Sequence, residues 1–288
     1  MTGKPALHVE EIMGAIEVRK MTGGCGAEVL GVDLAKLGNS DMEAVRQAYV
    51  DYGVVFFRDQ NLTPEDHIAF ARRWGEIDIN KFFTPTQNPL IAEVRKEKDQ
   101  TVNIGGGWHT DHSYDIEPAM GSVLVARELP DEGGDTLFAS MYAAYDALTP
   151  GLKKTLEGLR AVHSNAHVFG AAGFYKNSDQ GKGFKGENLV SEAVHPVVVT
   201  HPLSGKKALY VNPAFTTHFE GWSWLESKPL LDYLFAHAVR PEFTCRFQWR
   251  DGSVAFWDNR ATWHYAVNDY HGDKRLMHRI TIAGAPLQ

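Results

Sequence analysis

The chain has little of what several function classes need. No stretch approaches the roughly 18 uninterrupted apolar residues of a membrane-spanning helix, and Met1 to Glu11 carries Lys4 but no apolar run of a secretory leader. Two cysteines, Cys25 and Cys245, are too few for a disulfide framework and read as small buried apolar side chains, so a reducing cytoplasm is the expected setting. Positive charge is also scarce. With 29 Lys and Arg against 36 Asp and Glu, the formal net charge is −7, whereas phosphate recognition wants a basic face. Neither a nucleic-acid nor a membrane partner is expected, and an anionic ligand has to be held by a few placed cations. Repeats, low-complexity tracts and linkers are missing too. A flexible start at 1–14 and one domain over 15–288 are the expected organisation, with assembly into a homo-oligomer left open.

What is present is an ordinary globular composition, 43% hydrophobic and 23% charged. Ile16-Glu17-Val18-Arg19 and Ala27 to Val32, around Gly23-Gly24, predict a β-hairpin. Ser40-Asp41-Met42-Glu43 has the form of a capping box opening a helix that ends before Gly53, and Gly53 to Arg58 reads as a buried strand. Thr63-Pro64 opens a second helix running to Gly75. From Ile77 to Gly107 the pattern weakens into an irregular segment, and 164–192 reads as a second mobile loop. Strands are expected at 121–126, after Gly133-Gly134, in a hairpin of 194–200 with 207–211, and at 242–250, 253–257, 263–267 and 276–283. Helices are expected from Met141, from Thr149-Pro150 and from the capping box at Ser223-Trp224-Leu225-Glu226. Many short strands with glycine turns and few helices predict a mostly β fold, an antiparallel sandwich or barrel with flanking helices.

The stretch with chemical content is Trp108-His109-Thr110-Asp111. On an extended strand side chains alternate, so His109 and Asp111 share a face, while Thr110 and His112 take the other. A third ligand would complete the 2-His-1-carboxylate set of non-haem Fe(II), and His264 is the candidate. Arg275 and Arg279, four apart in a predicted strand, share a face with Met277. Two guanidiniums on a buried face cost several kcal/mol each, on the order quoted for buried ions, unless an anion accompanies them. His163, His167, His195, His201 and His218 have no assignable partner and read as satisfied or solvated imidazoles, and Trp108, Trp257 and Trp263 as packing around the metal strands.

Together, Trp108 to Asp111, Gly133-Gly134-Asp135-Thr136, His195-Pro196 with His201-Pro202, and Trp257-Asp258-Asn259-Arg260 through His264 to Arg275 and His278-Arg279 resemble the taurine dioxygenase family of Fe(II)/2-oxoglutarate oxygenases. The likeness runs in order from about Ala27 to Gly284. It implies a double-stranded β-helix, or jelly roll. By resemblance His109, Asp111 and His264 ligate Fe(II), and Arg275 and the Thr136 hydroxyl hold the distal carboxylate of the co-substrate 2-oxoglutarate. A guanidinium suits that task because it binds a carboxylate bidentately. Dioxygen would be consumed, succinate and carbon dioxide released and the substrate hydroxylated, with cleavage where the hydroxyl lands beside a heteroatom.

Arg279 matches the family's arginine for the acid group of the primary substrate, so a small organic anion is expected. Asn80, Phe83 and Gly105 stand where the taurine enzyme has histidine, tyrosine and asparagine, and each change removes or alters a polar contact. With Phe82, Phe83 and Phe169 the pocket is expected to prefer a larger, more apolar acid, an arylalkyl or alkyl carboxylate or sulfonate such as an aryloxyalkanoate. Ser140-Met141-Tyr142, His163-Ser164 and Val168-Phe169-Gly170 resemble the herbicide-cleaving branch. A taurine or sulfonate dioxygenase is the alternative. A zinc hydrolase would leave the paired arginines and Thr136 without a role, and a non-catalytic jelly-roll binding module would be expected to have lost a ligand.

Overall fold

The computed structural model describes residues 16–83, 85–180 and 190–288. The expected flexible start at 1–14 lies outside them, as do residues 181–189 of the expected loop at 164–192. The chain opens with a hairpin, β1 (Glu17–Lys20) against β2 (Ala27–Leu30). Helix α1 (Asn39–Tyr52) stops at Gly53, whose φ of 73° is the left-handed geometry that ends helices and suits glycine. Its start departs from the sequence reading. Gly38 takes the cap and Ser40 lies inside the first turn, bonded to Asp41, so the capping box at Ser40 to Glu43 does not form. Strand β3 (Val54–Phe57) is buried throughout. In α2 (Pro64–Arg72) the reciprocal cap is made by Thr63 and Asp66.

The segment expected to be irregular contains β4 (Ile77–Asp78) and β5 (Ala92–Lys96). Three of the five residues of β5 are charged, so its own pattern is weak; pairing with a later strand makes it one. Then come β6 (Gly121–Glu128), β7 (Thr136–Ser140), α3 (Met141–Asp146) and α4 (Pro150–Leu156) as expected. Strand β8 (Arg160–Ser164), helix α5 (Ala166–Phe169) inside the expected loop, β9 (Glu192–Pro196), β10 (Val198–Thr200) and β11 (Lys207–Leu209) follow. β12 (Thr216–Phe219), α6 (Trp224–Ala238), β13 (Thr244–Phe247), β14 (Val254–Asp258), β15 (Thr262–Ala266) and β16 (Arg275–Ile282) complete the described chain. β8 and β12, which pair with each other, have no counterpart in the sequence reading.

The major sheet runs β1-β2-β3-β14-β6-β16-β4, with β5 sharing the outer edge of β16. Only the β2–β3 contact in it is parallel. Helices α1 and α2 cover one face, where Val45, Tyr49, Ile68 and Phe70 pack on Val55, Phe57, Val123 and Phe256. The other face meets the sheet β13-β7-β15 across a core of Phe56, Leu124, Phe138, Phe247, Trp257 and Met277. A sheet buried on both faces explains why β3 and β14 show no apolar alternation. Each large apolar side chain enclosed there contributes about 1.5–3 kcal/mol, which makes the two layers a rigid platform. The sheet β12-β8-β9 and the hairpin β10-β11 stand to one side with α3 and α6. The expected mostly β sandwich with external helices is therefore present. No helix among the described residues is long and apolar enough to cross a membrane.

Candidate active site

The two sheets bring the sequence-predicted ligands together. His109 lies directly opposite His264 on β15, the pair exchanging both backbone hydrogen bonds at 3.1 and 2.8 Å. Side chains of opposite residues share a face, and these two rings have centroids 4.0 Å apart. Beyond His109 the extended reading of the motif fails. The chain turns over 111–114, and His112 sits at φ 57°. The turn nonetheless carries Asp111 to the same point, with Oδ1 3.7 Å from His109 Nε2 and Oδ2 3.7 Å from His264 Nε2. Ligand atoms of the three side chains lie within 4.8 Å of one another, the one such group found among the described residues. His112 is corrected: it does not face away on a strand but lines the same cavity, its Nδ1 against the carboxylates of Asp78 at 3.6 Å and Asp115 at 3.4 Å. It is not part of the metal-capable group.

The protonation states suit metal binding. His109 Nδ1 lies 2.7 Å from the Gly107 carbonyl, so Nδ1–H donates and the Nε2 lone pair faces the group. Burial lowers the pKa of both histidines, keeping them neutral. Burial alone would raise the Asp111 carboxyl, but the Arg279 guanidinium beside it holds it well below the usual carboxylate range. Arg279 Nη2 stands 2.7 Å from Asp111 Oδ2. That contact is an ion pair, and Oδ2 remains buried without a hydrogen-bond partner. Two neutral imidazole nitrogens and one ionised oxygen with unmet acceptor capacity fit Fe(II).

On β16 the buried face carries Arg275, Met277 and Arg279, as the period-two reading expects. Arg275 is 4% exposed, yet its Nε and Nη2 have no hydrogen-bond partner. Its guanidinium stands 5.6 Å from the Trp249 ring, and Trp249 Nε1–H donates to the Thr136 hydroxyl at 2.9 Å. Gly134, at φ 68°, makes room: a Cβ there would come within 3.3 Å of Arg275 Cδ. Unmet N–H groups beside a hydroxyl in a buried recess fit a carboxylate of 2-oxoglutarate. Arg279 is held by Ser122 Oγ, which accepts from Nε at 3.2 Å and Nη2 at 2.9 Å. The rings of Trp257 and Phe83 flank it at 5.7 and 5.9 Å.

These groups open onto one cavity of about 440 Å³. Asn80, Phe83 and Phe169 line it as expected, with Phe82, Tyr114, Tyr175 and Phe215. Asn80 does not offer its acceptor to the cavity, because Oδ1 accepts the N–H groups of Phe82 and Phe83, each at 2.9 Å. Phe82 and Phe169 stack at 4.6 Å, and Tyr114 meets Phe215 edge-on at 4.8 Å. Tyr114, Tyr175 and Phe215 are absent from the sequence reading. Tyr114, three residues past Asp111, had a positional signal; Phe215 had none. Trp257 does more than pack, since it lines the cavity and stacks obliquely on His264 at 4.6 Å. His201, unpartnered in the sequence reading, bonds Asp258 at 2.9 Å.

The family model described as taurine catabolism dioxygenase TauD, TfdA family matches residues 17–281. An alpha-ketoglutarate-dependent sulfate ester dioxygenase of Pseudomonas putida is 34% identical, the match covering 93% of this chain and 90% of that protein. An (S)-phenoxypropionate/alpha-ketoglutarate-dioxygenase of Sphingobium herbicidovorans is 33% identical over 94% of this chain and 96% of its own. The crystal structure of a taurine dioxygenase from Burkholderia xenovorans superposes with a TM-score of 0.78 at 36% identity, covering 94% of this chain and 92% of that one. With the metal-capable triad, the orphaned Arg275 and these matches in one chain, the protein belongs to the TauD/TfdA family of Fe(II)- and 2-oxoglutarate-dependent dioxygenases.

Proposed function

We propose that this dioxygenase hydroxylates an alkyl or arylalkyl acid, a sulfate ester, sulfonate or aryloxyalkanoate, at the carbon beside the heteroatom, on a jelly-roll scaffold. The observation that carries the reading is Arg279, a second buried guanidinium on the face of β16 that holds Arg275, at the wall of an aromatic cavity. In this reading His109, Asp111 and His264 hold Fe(II), and Arg275 with Thr136 holds the distal carboxylate of 2-oxoglutarate. Bound iron, 2-oxoglutarate and dioxygen supply the oxidising chemistry, with succinate and carbon dioxide as products. The chain's own residues bind and orient. Burial keeps both imidazoles neutral so that they can ligate at neutral pH. Arg279 takes the substrate's anionic head, and Ser122 and the flanking rings fix where that head sits. Phe83, Phe169 and their aromatic neighbours exclude water and pack the apolar body, while Asn80 holds the Phe82–Phe83 turn. The hydroxylated carbon then carries both OH and the heteroatom; the hydroxyl loses its proton to water as the carbon–heteroatom bond breaks, leaving a carbonyl and releasing sulfate, sulfite or a phenol with the bonding pair.

The likeness to a taurine dioxygenase favours a second reading, a small sulfonate. Against it, the Asn80 acceptor that an ammonium group would want is already taken by two backbone N–H groups, and an unpaired polar group in such a pocket is penalised. Substrate-dependent succinate formation across alkyl sulfates, alkyl sulfonates, aryloxyalkanoates and taurine tests the choice. The bulkier acids should be turned over fastest. Taurine turnover equal to or above all of them would overturn the reading.

A further inference from the structure

Thr110, the residue between two metal-capable side chains, points away from them and is 2% exposed. Its hydroxyl donates to the Asn259 carbonyl at 2.6 Å. Asn259 is 1% exposed and fixed on three sides. Its Oδ1 accepts from Trp257 Nε1–H at 2.9 Å, its Nδ2 donates to the Ala119 carbonyl at 3.2 Å, and its backbone N–H donates to the Met120 carbonyl at 2.9 Å. Asn259 belongs to the turn that joins β14 to β15, the strand bearing His264. The hydroxyl therefore ties the His109–Asp111 segment to the turn that launches His264.

This bond stands where regular pairing stops. The two-way backbone pairing holds His109 to His264, but no ladder continues past it, and the chain enters a turn at Asp111. Asp111 is thus flanked by the Thr110 hydroxyl on one side and a left-handed His112 on the other. An aspartate in a turn has no sheet to aim it. We propose that Thr110, acting through Asn259, is a positioning residue for the metal: its hydroxyl sets how far the Asp111 carboxylate reaches toward the two imidazoles. Thr110 itself does not ligate. The Trp257 indole is the second member of the device, because one face leans on His264 while its N–H locks the asparagine that Thr110 holds.

The proposal rests on the reading of His109, Asp111 and His264 as the metal centre, and the experiment separates the two. Co(II) is titrated into metal-free full-length protein by calorimetry, with the visible spectrum of the bound ion and the thermal midpoint of the metal-free protein recorded alongside. Thr110→Val keeps the shape and removes the hydroxyl. It should weaken Co(II) binding about 10–100-fold, the range found when a group orienting a ligand is removed, and shift the Co(II) bands. Thr110→Ser should restore affinity to within about threefold of the parent. Should Thr110→Val not fold, Thr110→Ala removes the same hydroxyl without placing a second methyl against the Asn259 carbonyl, and it should move affinity and spectrum in the same direction. Parent-like affinity and spectrum in a folded Thr110→Val, or in Thr110→Ala if that variant replaces it, would overturn the positioning role. So would a failure of Thr110→Ser to rescue. A parent protein that takes up no Co(II) would overturn the metal centre itself.

Discussion

Replacing Arg275 by methionine should do two things of opposite sign. Arg275 is enclosed between the sheets with Nε and Nη2 unpaired, and burial pulls its pKa down, the mark of a charge that gains little where it stands. Two buried donors without partners cost about 1–3 kcal/mol each. Arg275→Met fills similar space without them, so the ligand-free variant should be at least as stable as the parent in urea. Binding of 2-oxoglutarate should fall sharply. Two charge-assisted hydrogen bonds at about 1.5–3 kcal/mol each amount to about 3–6 kcal/mol, a loss of about two to four orders of magnitude in affinity. Calorimetric titration of 2-oxoglutarate into Mn(II)-loaded protein measures the second effect. A variant that is several kcal/mol less stable yet binds 2-oxoglutarate like the parent would refute the reasoning, because Arg275 would then be a structural cation satisfied within the fold.

Acid should weaken the fold through His67 and His163, whose pKa values burial depresses to about 3. Their stabilising effect is fully present above the unfolded value near 6.5 and is lost as pH falls toward 3, at about 1.4 kcal/mol per pH unit for each; urea midpoints at pH 7, 6 and 5 that do not fall would contradict it. Asp258, 1% exposed, accepts from Arg260 Nε at 2.8 Å and Nη2 at 2.6 Å and from His201. Asp258→Asn should cost about 3–5 kcal/mol, since it leaves a buried guanidinium without its counter-charge, and a loss under about 1 kcal/mol by chemical denaturation would show that solvent compensates. Gly105, at φ 79°, would place a Cβ 3.2 Å from His109 Cε1. Gly105→Ala should lower stability by about 1–2 kcal/mol and weaken metal uptake by crowding that ring, which denaturation and Co(II) titration check together.

Much of the site is legible in the sequence because its chemistry is regular where it matters. Arg275 and Arg279 sit on a strand whose period of two holds, and both fall on the buried face. His109 and Asp111 converge for a reason the pattern does not contain: alternation predicts a shared face, and a turn at Asp111 delivers the same result by another route. His112, where the two geometries differ, is placed wrongly by alternation for that reason. Strands β8 and β12 stay hidden because their polar residues are buried by partners distant in sequence; His163 Nδ1 lies 3.1 Å from Ser113 Oγ and 3.2 Å from Thr216 Oγ1. Asn80 is readable as a pocket residue but not as one whose acceptor the backbone uses. Periodicity reports which face a side chain takes, and it is silent on which atoms are already satisfied.

That distinction locates the function. Buried polar atoms are ordinarily bonded, and each exception asks for a cause. Among the described residues, ten buried side-chain atoms lack a hydrogen-bond partner, and five of them belong to cavity-lining residues: Asp111 Oδ2, which has only its ion pair with Arg279, His264 Nδ1, Asn268 Oδ1 and two nitrogens of Arg275. A fold selected for stability alone would not gather unmet donors and acceptors in one recess walled by Phe82, Phe169 and Phe215, where desolvation makes each more costly. The arrangement makes sense if ligands complete those bonds: a cation beside Asp111, an anion beside Arg275. The aromatic wall then acts on both, because a low-polarity surround strengthens the same contacts that it makes costly to leave empty.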